Sequence, residues 1–495
     1  MAQARRVTRN LAALILASVL SKGTLFVWQI ALGRWLGLDD YGIYNTVLSV
    51  LAVTTPLASL GMGLIVIREV ARQPDQLGVY WAAALGWQTL FGGLAYVLAL
   101  LGGLLAGYSP IILAYTALGG LSLLIDLFGN TANDLLLAQE RMVVTSVVEV
   151  SHTFLRVALA LAAMLAGWEL LGLYSVTLLS SIGRSSLLIG LNLRAGWRPR
   201  FPVSPELRRR LLFSSAPLAL AAILSLAYQH ADKLLTTAIL GERSTGFLGP
   251  AFLVSFGVVE LLNTTVLVAT YPLMSRSYAA PQTRASFGHL VEILGRFMAV
   301  IGAPIALVFF VYGPALVGLI YPSEFAPAGQ VLRLLILYTW VTMIVNVLAQ
   351  GLLVQDQQAY TLRARARSLA LNIVVSVGLL LTTGDVRGAV LATLAAELLL
   401  GTQLLARFRS EGFELERFLK RAGRLLLAVL VGGALMLALE GSSLLGVSLG
   451  LLAYGLAALA LRAIDPGDWD FLEGLAAHLP LSGLWAAVLR RLRPA

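Results

Sequence analysis

The sequence predicts an all-α polytopic membrane protein: about fourteen transmembrane helices, read as two six-helix halves plus two C-terminal helices, with both termini cytoplasmic. Three observations carry that class. The chain of 495 residues is 58% hydrophobic and only 13% charged, with a mean hydropathy of +0.83, whereas soluble domains carry about 25% charged residues. Apolar runs of about 20 residues, the length a ~30 Å hydrocarbon core demands, recur along the chain. Basic residues crowd every second loop. About 28 of the 36 Lys and Arg fall on one side and about 4 on the other, which makes the rich side cytoplasmic.

The predicted spans are 11–32, 43–67, 79–105, 110–137, 143–166, 170–193, 211–240, 247–274, 291–312, 329–353, 368–383, 387–406, 423–439 and 444–461. Backbone groups in lipid must be satisfied within a segment, so each is a helix; a barrel would show alternation. The eleventh and thirteenth are short for the bilayer. The outer stretch 313–328, punctuated by Gly and Pro, reads as re-entrant or as a helical turn. An N-lobe over 1–194 and a C-lobe over 211–410 are joined by the polar, Pro-rich, basic stretch 195–210. Residues 411–462 form the last two spans. In 463–495 an apolar face of Leu484, Trp485, Val488, Leu489 and Leu492 opposes Arg490, Arg491 and Arg493, as in an interfacial amphipathic helix.

A weak repeat supports two halves. Leu36-Gly37 and Gly42 recur as Leu240-Gly241 and Gly246, both L-G-x4-G at the same hairpin of each half, at a separation of 204. Six spans per half would relate the halves by an axis along the membrane normal.

Several function classes are excluded. With no Cys, there are no disulfides, thiolate metal sites or Cys nucleophiles. The four His lack metal-ligand spacing, so no metal is expected. No phosphate-cradling loop with Lys is present, and the first apolar run is too long for a cleavable signal peptide. The net charge of +10 faces anionic headgroups, with no nucleic-acid partner implied. The chain is expected not to be an enzyme.

Four cations lie inside spans, where charge is costly and usually functional: Lys22, Arg156, Arg184 and Lys233. Ser18, Lys22 and Gln29 make one stripe on the first span. In the seventh, Gln229, His230, Asp232 and Lys233 cluster, a candidate site or a self-satisfied group. The fourth and fifth spans form a hairpin in which Asp126 and Arg156 sit at similar depth, either as a neutralised pair or as cavity groups. Thr145, Glu149, His152 and Arg156 share a face; Thr177, Ser181 and Arg184 share another, from which Arg184 can also snorkel. The second half offers Glu260 with Asn263 and Thr264, Thr342/Asn346/Gln350, and Thr393/Glu397. Such polar stripes are more often helix–helix glue than ligand contacts.

Read together, Arg6-Asn10 followed by Lys22, the hairpin of Leu36, Gly37, Gly42 and Tyr44, and Asp232-Lys233-Leu234-Leu235 ahead of Leu240-Gly241 resemble one family. It is the polysaccharide-transporter (oligosaccharide flippase) branch of the multidrug/oligosaccharidyl-lipid/polysaccharide (MOP) flippase superfamily. The resemblance covers essentially the whole chain, with Pro250 soon after Gly246 as a departure. It implies two six-helix lobes around a central cavity plus two C-terminal helices, and translocation of undecaprenyl-pyrophosphate-linked oligosaccharide from inner to outer leaflet by alternating access, for cell-surface polysaccharide synthesis. The cavity cations Lys22, Lys233, Arg156 and Arg184 would meet the phosphates. Asp126, Glu149, His152, His230, Asp232 and Glu260 would serve pairing, or coupling to a proton or sodium gradient, with no other cofactor. The implied partners are the lipid-linked oligosaccharide, membrane lipids, and a glycan polymerase or glycosyltransferases; the implied location is a bacterial or archaeal cytoplasmic membrane. The rival is a drug or cation antiporter of the multidrug and toxic compound extrusion type, which would use carboxylates on the same fold. A non-transporting scaffold is a third class.

Overall fold

A computed structural model describes residues 2–439 and 443–463, with side chains from Leu16 onward apart from a few positions; the amphipathic tail read in 463–495 lies almost wholly outside these residues. Among them every element is helical: α1 Ala2–Trp35, α2 Gly37–Ser59, α3 Met62–Arg72, α4 Leu77–Leu105, α5 Pro110–Ala138, α6 Met142–Leu165, α7 Glu169–Arg194 and α8 Pro205–Leu240. They continue as α9 Glu242–Val258, α10 Thr265–Ala279, α11 Arg284–Ile320, α12 Ala326–Val354, α13 Gln358–Thr383, α14 Arg387–Arg407, α15 Leu415–Ala438 and α16 Ser443–Ala460. Among the described residues, twelve helical spans are long and apolar enough to cross a membrane. The predicted eighth span is also helical but broken by a π turn, Val259–Thr264, between α9 and α10. The predicted fourteenth is the shorter apolar helix α16.

Several boundaries move for identifiable reasons. The second span breaks at Leu60 and Gly61, both left-handed (φ 52° and 63°), so α2 and α3 replace one rod. The stretch 313–328 is not re-entrant. Helix α11 runs through Pro314 to Ile320, and a single 3-10 turn, Ser323–Phe325, leads into α12. The two short spans lengthen to 26 and 24 residues in α13 and α15, because the helices continue past their apolar windows into Arg363, Arg365, Arg367, Arg417 and Arg421.

The described residues form two compact units: those up to Gly249 with Val377–Val386, and Pro250–Ser376 with Arg387 onward. In the first, α5 packs on α4 and α7, α6 on α1 and α7, and α8 on α2. That last packing carries the first unit past 195–210 to Gly249. Its core gathers Met62, Trp81, Leu135, Leu136, Leu188 and Leu211. In the second, α11 and α12 pair at the centre, α14 covers α12, and α15 packs on α16 and α11. Phe287, Leu294, Leu352 and Phe408 fill that core.

Candidate functional site

Helices α5, α6 and α7 build a charge cluster around Arg184, whose side chain is 8% exposed. Asp126 and Asn130 stand one turn apart on α5, Glu149 comes from α6, and Ser181 and Arg184 share a face of α7. Arg184 donates to Glu149, and its Nη2 reaches the Asn130 Oδ1 at 3.0 Å. Its Nη1 lies 3.6 Å from Asp126 Oδ1, and Ser181 donates to the other Asp126 oxygen at 3.0 Å. A charge out of water survives best when paired and hydrogen-bonded, and this guanidinium has two carboxylates. Arg184 therefore neither snorkels nor stands ready as a bare cavity cation, and the partner of Asp126 is Arg184, not Arg156.

Asp126 and Glu149 are both taken up by Arg184, and Arg156 stands apart from that cluster's ion pairs. It lies half-buried on the face of α6 that carries Glu149 and His152, within electrostatic reach of Tyr44, Asp126 and His152. Among the described residues it makes no hydrogen bond or ion pair. His152, one turn away, has a buried Nε2 with no hydrogen-bond partner among them. On α1, Lys22 and Ser18 are exposed along the predicted stripe, with Gln29 half-buried. Hydroxyls elsewhere behave as helix glue: Thr145 and Thr177 bond carbonyls of their own helices.

On α8, Asp232 and Lys233 are both buried and Lys233 feels the Asp232 charge, while His230 Nδ1 meets Ser49 Oγ at 3.0 Å. These groups are held by neighbours. The Glu260 side chain lies outside the described residues. Asn263 bonds the Met343 carbonyl and Gln350 the Leu267 carbonyl, so those second-half stripes also tie helices together.

The repeat has a structural outcome that its sequence did not announce: equivalent residues meet each other. Gly42 packs against the carbonyl of Glu242, and Gly246 against that of Leu38. Glu242 and Leu38 are themselves equivalents in the repeat, so the crossing of α2 and α9 is reciprocal. Gly is required because a Cβ on either side would enter backbone. Asp39 and its equivalent Arg243 form an ion pair at 2.8 Å. Thr46, Thr237 and Thr245 chain their hydroxyls at 2.6 and 2.7 Å, and Tyr108 donates to the Leu234 carbonyl at 3.0 Å. The two hairpins are thus fastened at one end of the first unit.

Two charge groups escaped the sequence reading. In α11, fully buried Glu292 binds Arg296 one turn on, with Arg421 of α15 at 3.9 Å. Buried Glu69 gathers Arg68, Arg72 and Arg210 at 2.9, 3.6 and 3.4 Å, joining α3 to α8. An opposite-charge pair four residues apart inside an apolar window was the available signal for the first. For the second no local signal existed, since Arg210 is remote in sequence.

A family model described as "Polysaccharide biosynthesis protein" matches residues 31–330. No curated protein matches the chain. Among solved structures, one titled "Lipid II flippase MurJ, inward closed conformation" superposes with a TM-score of 0.71 at 12% identity, covering 91% of this chain and 98% of that one. An inward-facing multidrug resistance MATE family transporter of the MOP superfamily gives 0.60 at 16% identity, covering 82% and 94%. A MOP superfamily transporter from Pyrococcus furiosus, described as having a binding pocket of reverse polarity, gives 0.52 at 14%, covering 84% and 95%. At these identities the likeness is one of fold.

Proposed function

The chain belongs to the polysaccharide biosynthesis protein family, and on that premise we propose that it is a flippase carrying a polyprenyl-pyrophosphate-linked oligosaccharide across a cytoplasmic membrane by alternating access. The observation that carries this reading is Arg156, a guanidinium in a membrane-spanning helix with no ion pair among the described residues. Such a cation is costly unless water or an anionic ligand meets it. A pyrophosphate is a dense, multiply accepting anion that suits a guanidinium through charge-assisted hydrogen bonds. Lys22, exposed on the helix packed against α6, adds a second cation, and the hydroxyl and amide stripe of α1 suits sugar hydroxyls.

The broken helix α9–α10 and the short α16 join the twelve longer spans as fourteen crossings, with both termini on the basic, cytoplasmic side. The 1–194 and 211–410 lobes are the moving halves. The Gly42–Gly246 crossing ties the α1–α2 hairpin to the α8–α9 hairpin. His152 is a candidate for coupling to a proton or sodium gradient. A drug or cation antiporter needs carboxylates free to titrate, and Arg184 already engages both Asp126 and Glu149.

The test is reconstitution. Proteoliposomes loaded with a polyprenyl-pyrophosphate oligosaccharide should expose its sugars to external lectin at a protein-dependent rate, without conferring drug efflux in a parallel assay. Drug efflux with no movement of the glycolipid would reverse the assignment.

A further inference from the structure

An apolar groove of about 560 Å³ runs between α1 and α6, floored by Val19, Leu20, Gly23 and Val27 of α1 and by Val157 and Leu161 of α6. Its place relative to the cations gives it meaning. At about 100° per residue, Leu20, Gly23 and Val27 lie roughly 100–160° round α1 from Lys22. Val157 and Leu161 lie roughly 100–140° round α6 from Arg156. On each helix a buried strip, Ala17 and Leu32 on α1 and Thr153 and Ala160 on α6, separates the polar side chains from the groove. The α1–α6 pair is therefore a wall about one helix thick, with cations on one side and a hydrocarbon slot on the other.

Resting on the flippase reading, we propose that this groove holds the polyisoprenoid tail of the substrate while its pyrophosphate meets Lys22 and Arg156 across the wall. A lipid-linked glycan must keep its head in a polar cavity and its tail in hydrocarbon at once. A wall that is polar on one face and grooved on the other satisfies both demands over about 10 Å. The head's negative charge complements the cationic face, and the predominantly apolar lining of the slot, whose one hydroxyl, Thr24, donates to the Leu20 carbonyl, complements the tail. Gly23 keeps the slot open: a Cβ there meets no atom within 4 Å.

That vacancy supplies the experiment. Gly23→Phe projects a ring into the groove from a position where a Cβ meets no neighbouring atom, and Gly23→Ala is the control; Gly23→Leu replaces the first should it not fold. Each purified full-length variant is titrated with two ligands, the oligosaccharide pyrophosphate on a long polyprenyl chain and the same head on a two-isoprene stub. The expected result is that Gly23→Phe weakens the long-chain ligand tenfold or more and leaves the stub unchanged, while Gly23→Ala changes neither. Unchanged long-chain affinity in Gly23→Phe overturns the inference and leaves the groove to bilayer acyl chains. Wild-type protein that binds neither ligand overturns the flippase reading, and this inference with it.

Discussion

Replacing Gly42 by alanine places a methyl group in the carbonyl of Glu242, with the amide of Gly246 at 3.1 Å behind it. Both obstacles are backbone, so no side chain can swing aside, and the helices must part. Over-packing of this kind costs about 1–3 kcal/mol, and rigid obstacles place this site in the upper half of that range. Only the joined arrangement carries the cost, so the ratio of joined to parted hairpin ends should fall roughly 30- to 150-fold. The chain has no Cys, so Asp39→Cys with Arg243→Cys gives a clean readout through a short bifunctional thiol reagent. Cross-linking should be efficient with Gly42 present and strongly reduced with Gly42→Ala. Gly246→Ala should match it through the Leu38 carbonyl. The double variant should fall short of the sum, because one parting relieves both methyls. Undiminished cross-linking in both single variants would refute the reciprocal crossing.

Arg184→Leu should strand Asp126 and Glu149; because those carboxylates are 34% and 38% exposed, the loss should be about 2–3 kcal/mol, below the ~3–5 of a fully buried pair. Thermal unfolding checks it, and adding Asp126→Asn with Glu149→Gln should restore most of the stability. Glu292→Gln leaves Arg296 and Arg421 without their carboxylate in a buried setting and should cost about 3–5 kcal/mol, read as a lower denaturation midpoint with α15 the first segment to become protease-sensitive. Asp39→Asn, by contrast, removes an ion pair whose side chains are more than half exposed, so unfolding should shift by less than about 1 kcal/mol and the shift should vanish in high salt.

Much of this architecture was legible because the bilayer writes it locally. Apolar length gives the spans, and the alternation of Arg-rich loops orders them. Helix breaks were not, since the left-handed pair Leu60–Gly61 and the π turn at Val259–Thr264 interrupt runs whose hydropathy is continuous. The site was legible in type and not in pairing. Depth matching in the α5–α6 hairpin gave Asp126 to Arg156, because only two helices were compared; the third, α7, brings Arg184 into the same layer. The repeat marked the two hairpins by Leu36-Gly37 and Leu240-Gly241. That equivalent residues would touch each other depends on where a pseudo-axis falls, which no spacing in the chain encodes.

Equilibrium binding of a polyprenyl-pyrophosphate oligosaccharide to wild-type and Arg156→Gln protein measures directly whether Arg156 receives an anionic head. A hydrogen bond to a charged group contributes about 1.5–3 kcal/mol, so Arg156→Gln should raise Kd roughly 10- to 150-fold while the unfolding temperature stays put. Equal affinity in the two proteins would contradict the account.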